Sequence, residues 1–261
     1  GSLTTGFERL QFSNQALPEL DLSQVDTATS FLGRWLRAPL LISSMTGGVE
    51  RGWELTRRLA VAAQETGCAI GVGSQRAALE ESDRAKFFRI RADAPDSLLF
   101  ANLGAVQLNY GFGVDECRRA VEMIEADGLF LHLNPLQEAL QSDGNTNWSN
   151  LARKIEQVCR KLDVPVVVKE VGFGISSSAA RRLADCGVAA IDVSGAGGTS
   201  WSMVEHLRCR TERDREVSRA FTSWGIPTAR CLADVRSVLP DMPLLATVAA
   251  GGPALAPRHP A

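Results

Sequence analysis

No two of the six cysteines form a C-x-x-C pair; Cys68, Cys117, Cys159, Cys186, Cys209 and Cys231 lie scattered along 261 residues. In a chain long enough to bury its own core, that spacing argues against a disulfide scaffold and for reduced thiols in helices and core. No apolar run approaches the roughly 20 residues that a membrane-spanning helix needs. No charged-then-apolar secretory segment is visible either, so a cytoplasmic protein without a membrane partner is expected. Neither charge is in marked excess: 28 Lys and Arg stand against 30 Asp and Glu. That balance offers no basic face for nucleic acid and no acidic tail. A small anion stays open as a ligand, because local donors rather than net charge hold such groups. There is no G-x-x-x-x-G-K-[ST] sequence, which argues against a P-loop nucleotide site. No His/Cys cluster has zinc spacing, and His132 and His206 are isolated.

What the chain does have is a repeated alternation. Short apolar runs occur at 39–45, 69–73, 98–102, 128–133, 164–169, 189–193 and 243–248. They are nearly continuous in apolar character, as strands buried on both faces must be. Between them lie stretches with helical spacing, such as 51–66 with Leu55, Leu59 and Ala62, 115–126, 148–162, and 176–186. Strand–helix repetition means a parallel sheet, either open and doubly wound or closed into a barrel. Seven runs favour an α/β fold of the (β/α)8 TIM-barrel type, incomplete because no eighth strand or last helices follow Val248. Residues 1–38 read as an N-terminal lid or plug, with hairpin character. Residues 39–248 read as the barrel domain, and 249–261 as an irregular tail. The charge run at 208–219 reads as a solvated helix face.

Both architectures bind ligands at the carboxyl ends of their strands. There the chain carries Ser43-Ser44-Met45-Thr46-Gly47-Gly48, Gly73-Ser74-Gln75-Arg76, Asn102-Leu103-Gly104 and His132-Leu133-Asn134-Pro135-Leu136-Gln137-Glu138. The fifth and sixth runs end in Lys169-Glu170-Val171-Gly172-Phe173-Gly174 and Asp192-Val193-Ser194-Gly195-Ala196-Gly197-Gly198-Thr199-Ser200. Singly these are weak: glycines there are often turn formers and a serine is often a helix cap. A histidine inside an apolar run, like His132, is more often a satisfied core residue than a base. Lys169 differs, because its stem starts in the strand wall and a buried ammonium is costly unless it meets an anion. The 195–199 turn offers backbone N–H groups and a hydroxyl, as phosphate cradles do. Glu138 suits Mg²⁺ shared with a substrate diphosphate, and Gln75-Arg76 add planar hydrogen bonding and a fixed positive charge.

Taken in order, these motifs, with Thr5-Gly6-Phe7-Glu8 and Trp224-Gly225-Ile226-Pro227-Thr228, resemble the type 2 isopentenyl-diphosphate isomerases. The likeness runs from about residue 4 to about residue 246. It implies an FMN-binding (β/α)8 barrel in isoprenoid biosynthesis that interconverts isopentenyl and dimethylallyl diphosphate. It implies that Ser44, Met45, Thr46, Ser74, Asn102, Lys169, Ser194 and Thr199 contact FMN. It also implies that Ser74, Gln75, Arg76 and Gln137 touch substrate, and that Glu138 holds Mg²⁺. Gln137, His132 and Lys169 are the catalytic candidates, with Gln137 the better choice for facing the flavin. NADPH would serve only to reduce the flavin, and a homo-oligomer, tetramer or octamer, is implied. Two departures stand out. The family's Arg-Lys-x-x-His segment is missing, and so are its Gly-Gly-Ile-Arg turn and eighth strand, so truncation at both ends is expected. Two competing readings follow: a catalytically silent truncated homologue or assembly partner, and an FMN-dependent hydroxy-acid oxidoreductase. The Gln137-Glu138 pair argues against the latter, as does the lack of a late histidine base, since His206 lies in a charged helix and His259 in the tail.

Overall fold

The computed structural model describes residues 3–45 and 48–248. An antiparallel hairpin, β1 (Thr29–Phe31) and β2 (Arg34–Leu36), comes first. There follow β3 (Leu41–Ile42), α1 (Glu50–Thr66), β4 (Ala69–Gly71), α2 (Arg76–Glu80), β5 (Leu99–Gly104) and α3 (Val114–Ile124). Next come β6 (Gly128–Leu133), α4 (Pro135–Leu140), α5 (Leu151–Lys161), β7 (Val166–Glu170), α6 (Ser177–Asp185) and β8 (Ala190–Asp192). The described chain closes with α7 (Trp201–Arg208), α8 (Glu212–Ala220), α9 (Thr228–Val238) and β9 (Leu244–Leu245). Strands β3 to β9 pair in chain order, every neighbour parallel. This curled sheet is an incomplete (β/α)8 barrel, and all seven expected strands are in it.

Alternation along each strand sorts side chains to two cores. Leu99, Ala101, Leu103, Leu129, Leu131, Val166, Val168 and Ile191 face outward and bury against the helix layer. Helix α5 shows how that layer forms: Leu151, Ile155 and Val158 are buried at i, i+4 and i+7. Phe100, Phe130, Val167 and Ala190 face inward and form a second core. The Phe100 and Phe130 rings lie 4.5 Å apart, and neither side chain touches solvent. Burying each contributes on the order of 1.5–3 kcal/mol.

The hairpin closes the inner core from the amino-terminal ends of the strands. Leu36, Phe31 and Leu32 pack on that cluster, and Arg34 bonds the Asp96 carbonyl ahead of β5. The edge strands are shorter than their apolar runs imply. With a hydrogen-bonded neighbour on one side only, β3 and β9 keep ladder geometry for two residues each. The charged run near the end holds α8, exposed except at Ser218. Helices α7 and α9 were not among the expected helical stretches, although α9 carries Cys231, Val235 and Val238 at i, i+4 and i+7 and buries Thr228, Cys231 and Val235. The expected tail, 249–261, lies outside the described residues.

Candidate active site at the carboxyl ends of the strands

The inward face changes character within one strand step. Asn102, Phe130, Val167 and Ala190 form one register row; the row above it is Gly104, His132, Lys169, Asp192 and Leu245. An apolar floor therefore carries three ionisable side chains on adjacent strands. Gly71 makes room beside them, since a Cβ there would lie 2.5 Å from Ser44 Oγ and 3.0 Å from the Phe130 ring.

The first group is Asn102 and His132. Asn102 Nδ2 donates to the Val72 carbonyl at 3.1 Å, so its Oδ1 faces His132 Nδ1 at 2.8 Å. An amide oxygen only accepts, so Nδ1 carries the proton and Nε2 keeps its lone pair. Burial, reinforced by the Lys169 charge, pushes the His132 pKa down to about 3. The ring is a neutral base or acceptor, open in part to the mouth.

The second group surrounds Lys169, whose Nζ donates to the Glu170 carbonyl at 2.6 Å. Burial lowers the Lys169 pKa, and Asp192 and then Glu170 oppose that shift. Asp192 is fully buried. Its Oδ1 accepts from Ser194 N at 3.1 Å and Thr247 N at 3.0 Å, and its Oδ2 accepts from Thr247 Oγ1 at 2.6 Å. Glu170 turns back on its own loop, where Oε2 accepts from the N–H groups of Val171, Gly172 and Phe173. Its pKa rises to about 7 because burial outweighs those bonds and the pull of Lys169.

The third group starts at α4, where Pro135 occupies the first turn. Glu138 Oε1 accepts from Asn134 Nδ2 at 3.0 Å, and Oε2 accepts from Asn145 N at 2.6 Å. Asn145 Oδ1 in turn accepts from Arg76 Nη1 at 3.2 Å and Gln107 Nε2 at 2.8 Å. Arg76 and Glu138 thus meet through one asparagine. Gln137 Nε2 donates to Glu205 Oε1 at 3.2 Å, and Glu205, on α7, is 4% exposed.

The remaining expected site residues are spread around these groups. Gln75 is fully buried, its Nε2 donating to the Ala120 carbonyl and its Oε1 accepting from Asn102 N. Its amide is committed between α3 and β5 rather than brought to the mouth. Ser74 and Met45 are exposed at the rim, and Thr46 lies outside the described residues. Ser194 is buried, with Oγ 3.2 Å from Thr247 Oγ1. Thr199 lines a shallow pocket with Gly197, Gly198, Gly172, Phe173 and Trp224. At Gly197, φ is +127° and an added Cβ would meet the Thr5 backbone within 2.5 Å, so the N-terminal segment lies directly on this turn. Asp192, Asn145 and Glu205 escaped assignment from sequence. Asp192 and Glu205 sit one strand and one helix away from the side chains they serve, and Asn145 lies in a loop without periodicity.

A flavin suits the inner group. Ser44 Oγ and Asn134 Oδ1 are buried without a hydrogen-bond partner among the described residues. Lys169 uses one of its three protons in the bonds described above. Buried polar atoms left unpaired are costly, and a polar planar ligand would satisfy them. Among the described residues no three His, Cys, Asp or Glu side chains converge on one point. A cation at Glu138 would therefore have to share its ligands with substrate oxygens.

No family model matches the chain. It is 52% identical over 244 residues to an isopentenyl-diphosphate delta-isomerase of Nostoc sp., covering 94% of this chain and 70% of that protein. It is 55% identical over 246 residues to the enzyme of that name from Xanthobacter autotrophicus, covering 94% and 71%. The chain belongs to the isopentenyl-diphosphate delta-isomerase family. The chain spans about 70% of the length of these isomerases. Among solved structures it resembles a mandelate oxidase with a monooxide FMN adduct, at TM-score 0.53 and 17% identity, covering 87% of this chain and 62% of that one. That likeness speaks to the barrel fold alone. Among the described residues no helix is long and apolar enough to cross a membrane.

Proposed function

We propose that this chain interconverts isopentenyl diphosphate and dimethylallyl diphosphate in isoprenoid biosynthesis, using reduced FMN and Mg²⁺. The observation that carries the proposal is the polar row over an apolar floor, with unpaired buried atoms at Ser44 and Asn134, in a chain of the isomerase family. Ser44, Met45, Thr46, Ser74, Asn102, Lys169, Ser194 and Thr199 would hold the flavin. Ser74, Arg76 and Gln137 would meet substrate, Gln75 acting through the Asn102 N–H that it accepts.

The reaction adds a proton at the terminal alkene carbon and removes one from C2, passing through positive charge at the tertiary carbon. Reduced FMN, when bound, supplies an electron-rich face and an acid/base group beside that charge. The chain's residues do the rest. Lys169 would offer its ammonium to an anionic reduced flavin. Glu205 holds the Gln137 amide, so that it presents one orientation to the substrate. His132 is kept neutral with Nε2 as an acceptor, and a charged imidazole would repel the developing cation. Glu138 and Arg76, joined by Asn145, form a cation-and-anion pair suited to Mg²⁺ and a diphosphate. The aromatic floor of Phe100 and Phe130 excludes water from below.

NADPH would act as the reductant only. Large apolar side chains left open, Leu17 at 78% and Leu22 at 85% exposure among them, support a homo-oligomer. The hydroxy-acid oxidation reading finds no late base among the described residues, because His206 is spent on the Arg215 carbonyl at the exposed end of α7.

The test is direct. The purified chain, loaded with FMN, reduced with NADPH or dithionite and given Mg²⁺, is expected to convert isopentenyl diphosphate to dimethylallyl diphosphate without net oxidation. Full flavin binding with no conversion would overturn the proposal.

A further inference from the structure

We propose that Asp192 is a positioning residue that acts through Lys169, keeping its ammonium charged on the inward face of the barrel, and that Thr247, just beyond the last described strand, holds Asp192 in turn. What Lys169 meets there rests on the function proposed above; the pairing itself does not.

Four observations carry it. Asp192 and Lys169 are register partners on β8 and β7, so their side chains leave the sheet on one face. Both are buried, at 0% and 5% exposure. Among the described residues neither side chain closes a salt bridge, with the other or with any third group; Lys169 Nζ bonds the Glu170 carbonyl, and Asp192 is the carboxylate across the register from it. Asp192 accepts three hydrogen bonds, two from Thr247 and one from Ser194 N, which fix the carboxylate without neutralising it. An anion held by dipoles keeps its charge available to a cation at its side.

The groups facing Lys169 decide its ionisation between them. His132, its register partner on β6, is uncharged at neutral pH and adds no repulsion. Glu170, its chain neighbour, is bonded into its own loop by three N–H groups, and its pull on Lys169 is weaker than that of Asp192. From α9, Cys231 bonds the Ile175 carbonyl and is a neutral thiol at neutral pH. Asp192 is left as the main counter-charge. The chain's closing strand thereby reaches the site: Thr247, just beyond β9, supplies two of the three bonds that orient Asp192.

The sequence makes a direct test practical, because it contains only four lysines, Lys86, Lys154, Lys161 and Lys169. Protein grown on ¹³C-lysine gives four side-chain Cε signals, and Lys169→Met identifies one. Titration without flavin or substrate then follows the amine itself. Asp192→Asn is expected to move the Lys169 midpoint down by about one pH unit or more. Thr247→Val, which keeps the carboxylate and its two backbone N–H bonds but removes the Oγ1 bond, should give a smaller downward shift. A midpoint in Asp192→Asn that coincides with the unmodified chain overturns the proposal.

If Asp192→Asn does not fold, Lys169→Met and Lys169→Met/Asp192→Asn are compared by urea unfolding. With the lysine gone the lost counter-charge no longer matters, so the double variant should fold where Asp192→Asn alone does not; a double variant that also fails to fold would overturn the pairing. A separate arm measures FMN binding by flavin fluorescence. Affinity in Asp192→Asn should weaken as pH rises through the shifted midpoint, while the unmodified chain holds constant. Failure of the unmodified chain to bind FMN would sink the functional reading and leave the lysine titration to judge the pair.

Discussion

The proton shared between His132 Nδ1 and Asn102 Oδ1, across 2.8 Å, decides what this histidine in the barrel mouth can do. With Nδ1 as donor, the ring's other nitrogen is an acceptor. Burial and the neighbouring lysine keep it neutral down to about pH 3. ¹⁵N NMR should show the Nδ1-H tautomer between pH 8 and pH 5; a protonated imidazolium at pH 6 would contradict it. The linkage follows in sign. A histidine depressed in the folded state takes up its proton only on unfolding, so stability is full above 6.5 and falls as pH drops toward 3. The slope is at most about 1.4 kcal/mol per pH unit for one such group. His132→Gln should flatten that part of the urea-unfolding pH profile.

Gln137 depends on Glu205. Removing a buried charged acceptor from an amide is worth about 1.5–3 kcal/mol. If Gln137 acts in the transition state, Glu205→Ala should lower kcat by roughly 10–100-fold with KM little changed. An equal rise in KM at constant kcat would place Gln137 in ground-state binding instead.

Asn145 is expected to matter through binding. Asn145→Ala removes the acceptor shared by Arg76 and Gln107 but leaves the backbone N–H on Glu138. KM for the diphosphate and the Mg²⁺ concentration for half-activity should both rise several-fold, with kcat within about twofold. Steady-state kinetics at varied Mg²⁺ checks it.

Gln75 should separate stability from binding. Gln75→Ala leaves the Ala120 carbonyl and the Asn102 N–H without their side-chain partner in a dry interior. The cost is on the order of 2–4 kcal/mol of folding stability. Flavin affinity per folded molecule should change little. A large loss of substrate affinity in a fully stable variant would show that Gln75 faces the ligand.

Gly197→Ala tests how the N-terminal segment sits. The new methyl would collide with the Thr5 backbone at a φ that disfavours any side chain. Limited proteolysis should cut before residue 10 much faster than in the unmodified chain, with the barrel core intact.

These residues also show where sequence reading ran out. The strands were legible because burial on two faces writes a continuous apolar run, as in Val166-Val167-Val168. The polar end was legible because Lys169 breaks that run at its last step. The direction of Gln75 was not, since the first turn after a strand can send a side chain to either layer. Nor was Glu205, whose partner lies 68 positions away and whose helix has no marked apolar stripe. Asp192 stood within a quoted motif, yet its tie to Thr247 spans 55 positions. Periodicity reports which face is buried, and it is silent on which long-range polar partner waits there.

The hairpin under the barrel has a consequence for how the chain is made. Phe31 and Leu36 leave the ribosome well before Phe130, one of the rings they cover in the inner core. At about 5–20 residues per second, the roughly 95 intervening residues take on the order of 5–20 s. Through that interval the hairpin has no barrel to dock on, and its apolar face is open to chaperones and to other nascent chains. Substitutions that weaken β1 and β2 should therefore lower the yield of newly made protein more than they lower the stability of protein already folded.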